Sequence, residues 1–518
     1  MTHANVVVIG AGPVGLSAAL LLDRAGIPCT VVERDAEPSG HPKARGIRTR
    51  TMELFSQWGL AEKLRQVALP SEANRFIYCD SLAGEEVARS PQVEAGNRAS
   101  FASDCRVAQS TVNSVLDDYV SGLRRVSYRR GSAVAWVHNA PGRIEVTLES
   151  GEVLQADYVI AADGIGSTTR DALEIPLDGE PLLGYGHSIY WRADLDQWTR
   201  DRPCIQFIIG DRTGHRANIA SVDGRFYWVT MLMQPPTGRR PALPSAEEAR
   251  AVIRTAVGAE ISPEIIDITT WRLSAEVART WRKGGVFLAG DAAHSFPPTG
   301  GFGMNTGIQD VHNLVWKLQL VLDGAASPRL LDTYELERKD IALSNAAWSK
   351  TNGDRFRRIS AAIAAGHTDE MCKLIEDQRS HVDATDQDLG FGYRCGAFAD
   401  HGPVAGSPLT TAVPGHRFPE CPVSVGGDDA SSVLTFADGF FVVAREASDW
   451  RPAAGVVADK RGLNINVVEL GGTGDSGDPL GGHDAALVRP DGITAWVGDV
   501  GSGSPDAVLD SVLSLVTG

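Results

Sequence analysis

Paired cysteines are missing from this sequence. Its seven cysteines, Cys29, Cys79, Cys105, Cys204, Cys372, Cys395 and Cys421, are scattered, odd in number and without a C-x-x-C pair. Reduced thiols of a cytosol fit that pattern better than a disulfide framework or a zinc site. Cations are scarce as well: 49 Lys and Arg face 65 Asp and Glu, a formal charge of −16. Such a balance argues against nucleic acid or an anionic membrane as a partner. No apolar run reaches the ~20 residues that a membrane span needs. No basic leader with an apolar core precedes the first strand pattern, and no internal repeat is visible. The expectation is a soluble, cytoplasmic protein. What is present is a length of 518 residues, enough for about three domains, with 43% apolar and 22% charged residues.

The first informative stretch is "VVVIGAGPVGLSAALLLDRAGIPCTVVERD", Val6 to Asp35. A β-branched run leads into Gly10-x-Gly12-x-x-Gly15, and a helical pattern follows to Arg24. A second apolar run then ends in Glu33, about 20 residues after the glycines. Gly10 suits a tight turn, and Gly12 lets a pyrophosphate approach the backbone. Pro13 opens the helix, and Gly15 lets helix pack on strand. The helix N-terminus favours negative charge, and Glu33 can accept from a ribose diol. FAD and NAD both fit this segment.

Two later stretches bear on that choice. "DYVIAADGIGSTTR" brings a buried strand to Asp163-Gly164, with Arg170 placed by spacing to satisfy charge near the same turn. "GGVFLAGDAAHSFPPTGGFGMNTGIQD" brings a strand to Gly290-Asp291, then a Pro-Pro turn, Gly300-Gly301-x-Gly303 and a helix. An aspartate at a strand end can bind a chain of hydroxyls. The helix beyond Gly303 directs its positive end at whatever lies there, which suits a reduced isoalloxazine.

Together these segments resemble the fingerprints of the single-component (class A) FAD-dependent aromatic hydroxylases, of the p-hydroxybenzoate hydroxylase-like fold. The resemblance covers nearly the whole chain and is closest to the aromatic polyketide and chlorophenol branches. It implies an α/β architecture: a Rossmann-like FAD-binding domain, a mostly β substrate domain and a C-terminal thioredoxin-like α/β domain. The expected segments are 1–175 for the first part of the FAD domain, 176–272 for the β substrate domain, 273–400 for the FAD-domain return with connecting helices, and 401–518 for the tail. Lacking C-x-x-C, the tail is expected to support structure or a homodimer rather than redox work.

The resemblance also assigns residues. Glu33 would bind the adenosine ribose, with Arg34 near the adenine. Arg45, in "HPKARGIRTRTMELF", would contact the flavin side. Arg106 and Gln109, in "CRVAQSTVNSVL", would reach the pyrophosphate and ribityl chain, although Val112-Asn113 stand where Leu-Glu is common. Asp163 and Asp291 would hold the nucleotide and ribityl portions. Pro298, Gly301, Gly303, Met304 and Asn305 would border the ring. Arg45 and Pro298 are expected to shape the flavin environment, with no acid or base assigned. On the residues alone, a lesser alternative makes Arg45 and Arg106 surface arginines, and His294 reads as a structural histidine.

Strand alternation in the 176–272 segment puts Ser188, Tyr190 and Arg192 on one face and Phe226, Trp228 and Thr230 on another. Which face lines the substrate pocket is open, so Tyr190, Arg192, Trp228 and Thr230 are all candidates. The implied reaction is hydroxylation of a small phenolic or polycyclic aromatic through a flavin C4a-hydroperoxide. Molecular oxygen is consumed, and NADPH or NADH is a transient co-substrate. Alternatives are a chlorophenol or simple phenol hydroxylase and an antibiotic-inactivating monooxygenase. A flavin reductase or a Baeyer–Villiger-type oxygenase is further off. A flavin halogenase is disfavoured because the W-x-W-x-I-P motif is missing.

Overall fold

A computed structural model describes residues 2–92, 99–140, 142–210, 216–234, 236, 239–399, 406–471, 477–501 and 503–518. The segment boundary expected at 400–401 lies outside the described residues.

Three sheets organise the chain. In the first, the strands run in the order Arg282–Lys283, Val286–Leu288, Val153–Ala161, Thr2–Ile9, Cys29–Val32 and Val126–Arg129. The five strands from Val286–Leu288 to Val126–Arg129 pair in parallel, with Ile9 opposite both Val32 and Ala161 and with Leu288 also opposite Ala161. Parallel pairing aligns their C-terminal ends. The glycine turn, Glu33, Asp163-Gly164 and Gly290-Asp291 therefore emerge along one edge, where open α/β sheets bind ligands. Fully buried Val6, Val7, Val8, Leu16, Leu20 and Phe287 explain why these runs have no polar alternation.

The second sheet runs His294–Ser295, Glu264–Ala278, Leu177–Arg192, Tyr227–Gln234, Arg216–Ser221, Gln206–Gly210, Phe76–Cys79, Glu86–Arg89. It is not confined to 176–272: two strands come from within the first segment and one from the return. One face carries Ile189, Trp191, Phe207, Ile219 and Trp228, packed on Ala249, Ile253 and Val257 of the helix Ala246–Val257. That helix has a Ser245/Glu248 capping box and ends at left-handed Gly258. The other face of this roof sheet meets the first domain through His41–Ser188 and Arg45–Gln206, and beyond them its Phe76, Tyr78 and Ile208 pack on Ile359, Ala362 and Met371.

The tail has strand order Asp428–Ser431, Pro422–Val425, Ile465–Leu470, Phe440–Ala444, Ala485–Val488, Thr494–Gly498. The helix Ala447–Arg461 joins the parallel pair Phe440–Ala444 and Ile465–Leu470, and the helix Pro505–Thr517 closes the domain, as in thioredoxin-like folds. All seven cysteines are free. The tail is fastened by buried charge: Glu337 accepts from Arg489 Nη1 (2.7 Å) and Nη2 (2.8 Å), from Lys317 Nζ (2.8 Å) and from Ala397 N (2.8 Å). Nearby, Glu53 accepts from Arg50 Nη1 (2.7 Å), Arg417 Nε (3.1 Å) and Ser100 Oγ (2.6 Å). No helix of the described residues is long and apolar enough to cross a membrane.

Candidate active site

The glycine turn is shaped by close approach. Gly10 has φ +99°, and a Cβ there would lie 2.4 Å from Ala162 O; at Gly15 it would lie 1.9 Å from Gly10 O. Gly12 differs. It caps the helix Pro13–Arg24 in extended conformation, with nothing within 4 Å of the position a Cβ would take. Its open side faces the edge where the helix N-terminus presents free N–H groups. Glu33 accepts from Ala11 N (2.7 Å) and Asp35 N (2.9 Å), which pins its carboxylate beside the turn. Arg34 extends into solvent and comes no nearer than 3.8 Å to Asp35.

Asp163 braces its own turn, accepting from Ser167 Oγ (2.6 Å) and Thr169 N (3.0 Å), with Gly164 in the left-handed region beside it. Arg170 is buried and spends its donors on Ala292 O and Ile165 O, both at 3.1 Å. It ties this turn to the Gly290–Ala292 turn. Asp291 has neither a hydrogen-bond nor an ion-pair partner among the described residues. Its side chain is open to solvent, yet protein surrounds it closely enough to raise its pKa, with His294 and Lys43 acting in the opposite sense. Accessible but surrounded, it sits on the floor of a cleft. Its Oδ1 is 3.8 Å from where a Cβ would stand on Gly303, the first residue of the helix Gly303–Leu322.

His294 is structural. Its Nε2 pairs with Asp310 Oδ2 at 2.7 Å, and Asp310 also accepts from Arg338 Nε (3.0 Å) and Gly290 N (3.2 Å). The imidazole stacks on Phe296 at 4.7 Å, away from solvent.

Two loops are sewn together by Asn305. Its Oδ1 accepts from Arg48 N (2.9 Å), and its Nδ2 donates to Gly46 O (3.1 Å) and Gly301 O (2.6 Å). Its amide is thus spent on backbone. Met304 is buried beside it, while Pro298 is exposed and its carbonyl accepts from Gly301 N (3.2 Å). Arg48, which the motif reading passed over, donates to Gly300 O through Nε (3.1 Å) and to Asp104 Oδ2 through Nη1 (2.7 Å). The only sequence signal for it was a second arginine three residues after Arg45.

Arg45 itself is the least satisfied polar group here. Nη2 reaches Gln206 Oε1 at 3.3 Å, while Nε and Nη1 are buried with no partner. Burial pushes this guanidinium down to about 10, still charged at neutral pH. Arg106 is likewise pushed down to about 10, but it bonds Asn74 Oδ1 and Asp104 Oδ2, both at 3.1 Å. Gln109 opens the helix Gln109–Ser121, and its backbone N–H reaches Pro42 O (3.0 Å) and Ala44 O (2.7 Å). The sequence segment around Arg106 and Gln109 therefore holds the loop that carries Arg45.

Of the two faces of the roof sheet, the one bearing Ser188 and Tyr190 meets this loop. His41 bonds Ser188 Oγ at 2.8 Å, and its ring lies 6.0 Å from that of Tyr190. The opposite face is core, so two substrate candidates are corrected. Trp228 is buried against the helix Ala246–Val257, donating to Ala193 O at 3.1 Å. Thr230, fully buried, accepts from Trp191 Nε1 at 2.9 Å. Arg192 shares the Tyr190 face but lies at the exposed strand end, 3.6 Å from Glu264 and over the Phe226 ring. Among the described residues there is no cluster able to hold a metal ion.

The residues fit an FAD. The open cradle at Gly12, the unpartnered Asp291 and the two orphaned nitrogens of Arg45 are polar features that protein leaves unused. Arg45 and Asp291 are connected through Gly46, whose carbonyl accepts from Asn305 on the helix that begins at Gly303, beside Asp291.

Comparison with known proteins agrees. The FAD-binding domain family matches residues 3–349, and the aromatic-ring hydroxylase C-terminal family matches residues 411–518. The chain is 30% identical to tetracenomycin B2 monooxygenase-dioxygenase of Streptomyces olivaceus, over 99% of this chain and 98% of that protein. It is 31% identical to 4-methyl-5-nitrocatechol 5-monooxygenase of Burkholderia sp, over 99% and 97%. It superimposes with a TM-score of 0.85 on aklavinone-11 hydroxylase crystallised with FAD and aklavinone, 29% identical over 100% and 99% of the two chains.

Proposed function

The chain belongs to the FAD-dependent aromatic-ring hydroxylases, and we propose that within this family it hydroxylates a phenolic, polycyclic substrate of polyketide type with NADPH or NADH as donor and dioxygen as oxidant. When bound, FAD supplies the electron transfer and oxygen activation. The protein's part is to bind, orient and dry the site. Gly12 and the following helix N-terminus take the pyrophosphate, Glu33 the ribose, and Asp291 the ribityl hydroxyls. Asn305 and Arg48 hold the Pro298–Gly301 loop against the Arg45 loop, so the wall of the site is preorganised.

Arg45 is the observation that carries the reading. A buried guanidinium with two unspent nitrogens, facing Gln206 under the roof sheet, stabilises negative charge on an aryl oxygen or on a neighbouring ring. Phenolate character makes the ring electron-rich, as aromatic hydroxylation demands. The relative that acts on a nitrocatechol supports a second reading, a single-ring phenol. A homodimer built through the tail is proposed on the expectation above, and light scattering tests it.

The test is anaerobic bleaching of the flavin absorbance by NADPH, alone and with emodin, juglone, 2,4-dichlorophenol or 4-nitrocatechol. Strong acceleration by the fused-ring compounds supports the polyketide-type reading, and acceleration by the single-ring compounds alone supports the second. Fast reduction without any phenol effect contradicts both.

A further inference from the structure

A serine, a histidine and an acid meet where the Arg45 loop touches the roof sheet. His41 Nδ1 lies 2.8 Å from Asp267 Oδ2, and Nε2 lies 2.8 Å from Ser188 Oγ. The three come from distant parts of the chain, 226 and 147 residues apart from His41. The carboxylate of Asp267 is 46% exposed, whereas His41 is 6% exposed and Ser188 also 6%. The line of hydrogen bonds thus runs from solvent into the buried face of the sheet. Ser188 Oγ has no other hydrogen bond among the described residues.

We propose that Asp267, His41 and Ser188 form a proton relay that carries the substrate's phenolic proton out of the active site to solvent. The inference rests on the phenolic reading above. The hydrogen-bond inventory sets the direction. Asp267, an acceptor, fixes the proton of neutral His41 on Nδ1, which leaves Nε2 to accept from the Ser188 hydroxyl. Ser188 Oγ then keeps lone pairs for a substrate O–H. As the aryl O–H bond breaks, its electron pair stays on the aryl oxygen and its proton bonds to Ser188 Oγ. The former Ser188 proton moves to Nε2, and the Nδ1 proton passes through Asp267 to water. Serine is again a neutral hydroxyl, while the imidazole is left neutral with its proton on Nε2 and returns to the Nδ1 form by exchange with solvent before the next turnover; no redox change occurs.

The surroundings keep His41 able to accept. Burial lowers its pKa, and Lys43 and Arg45 lower it further, while the hydrogen bond and charge of Asp267 act in the opposite sense. The net direction is down, so the ring is neutral at pH 7. Tyr190, the other group against the ring, meets it edge-on at 6.0 Å. A latch that only held the loop closed would need no path to solvent and no buried hydroxyl with spare lone pairs.

The experiment follows phenolate formation in FAD-loaded enzyme. Emodin, alizarin and juglone are bound first, with binding read from flavin fluorescence. A pH jump in a stopped-flow instrument then reports ionisation of bound emodin or alizarin by visible absorbance. His41→Gln keeps a donor and an acceptor but cannot ferry a proton. We expect it to bind FAD and dye like the parent protein, and to form phenolate about 100-fold more slowly, the scale of general acid–base catalysis. Ser188→Ala should slow it similarly. Asp267→Asn should move the acid limb of the rate to lower pH, a shift that a structural role would not produce. Should His41→Gln lose FAD, Ser188→Ala, which keeps the His41–Asp267 bond, decides by the same rate. Parent-like ionisation in either variant, with dye bound, overturns the relay and leaves the phenolic reading standing. Failure of all three dyes to bind overturns the fused-ring reading, and the same pH jump with bound 4-nitrocatechol, whose ionisation is also visible, then decides the relay.

Discussion

Two sets of charges enclosed by protein behave in opposite ways in this molecule. Where the tail meets the FAD domain, Glu337, Arg489, Lys317 and Asp491 neutralise one another, and Glu53 is enclosed by Arg50, Arg417 and Ser100. Under the roof sheet, buried Arg45 nitrogens Nε and Nη1 have no partner, and Asp291, open to solvent but closely surrounded by protein, has none among the described residues. A buried charge left unpaired costs several kcal/mol, so a fold keeps one only where something outside the chain completes it. The closed network therefore marks a joint, and the open one marks a binding site.

The joint should show the largest effect. Glu337→Gln leaves Arg489 and Lys317 short of their counter-charge, and a loss of about 3–5 kcal/mol is expected in chemical denaturation. The FAD affinity of the folded fraction should not change. In the cleft the same kind of deletion should act in reverse. Arg45→Met removes a desolvated charge, so the apoprotein should melt no lower than the parent. FAD should bind about 10- to 100-fold more weakly, the value of a lost hydrogen bond to a charged group. Equal losses of stability in the two variants would erase the contrast.

Asp388 sharpens the comparison, because it is a closed-interior acid with one unpaired oxygen. Oδ2 accepts from Arg50 N at 2.8 Å, Oδ1 is buried alone, and burial, with Asp104 and Glu53 adding to it, pushes its pKa up to about 7. Its folded pKa lies above the unfolded value. Stability from this group is therefore full at acid pH and lost as pH rises toward 7. Asp388→Asn should remove about 2 kcal/mol of the decline between pH 5.5 and 7, measured as Tm against pH. A Tm–pH curve parallel to that of the parent would contradict this. The smallest effect is expected from Thr230→Val, which strands Trp191 Nε1 in the core. About 1 kcal/mol of stability should go, with no change in substrate-stimulated flavin reduction.

The glycine turn was legible in sequence because backbone geometry admits no other residue at Gly10 and Gly15. Arg106 and Gln109 were picked out through a motif, and the contacts the structure shows for them hold the Arg45 loop and its surroundings. The faces of the roof sheet were not. Alternation separates Tyr190 from Trp228 but cannot say which face a helix will cover, and the helix Ala246–Val257 covers Trp228. Phe76–Cys79 joins that sheet only through pairing with Gln206–Gly210, more than a hundred residues along the chain. The His41, Asp267 and Ser188 cluster is likewise made by tertiary contact. Neither carries a local pattern. The buried networks of the tail escaped for the same reason: Glu53 and Arg417 look like surface charges until the fold encloses them.

The measurement that tests the account most directly is FAD titration of apo Gly12→Val, with the melting temperature of the same sample. The position has ordinary backbone angles and open space where a Cβ would go. The apoprotein should therefore melt like the parent, while its FAD affinity falls about 100-fold or more because the side chain stands where the pyrophosphate lies. Unchanged affinity with unchanged stability would show that the dinucleotide does not lie on this turn, and the cleft would have to be reassigned.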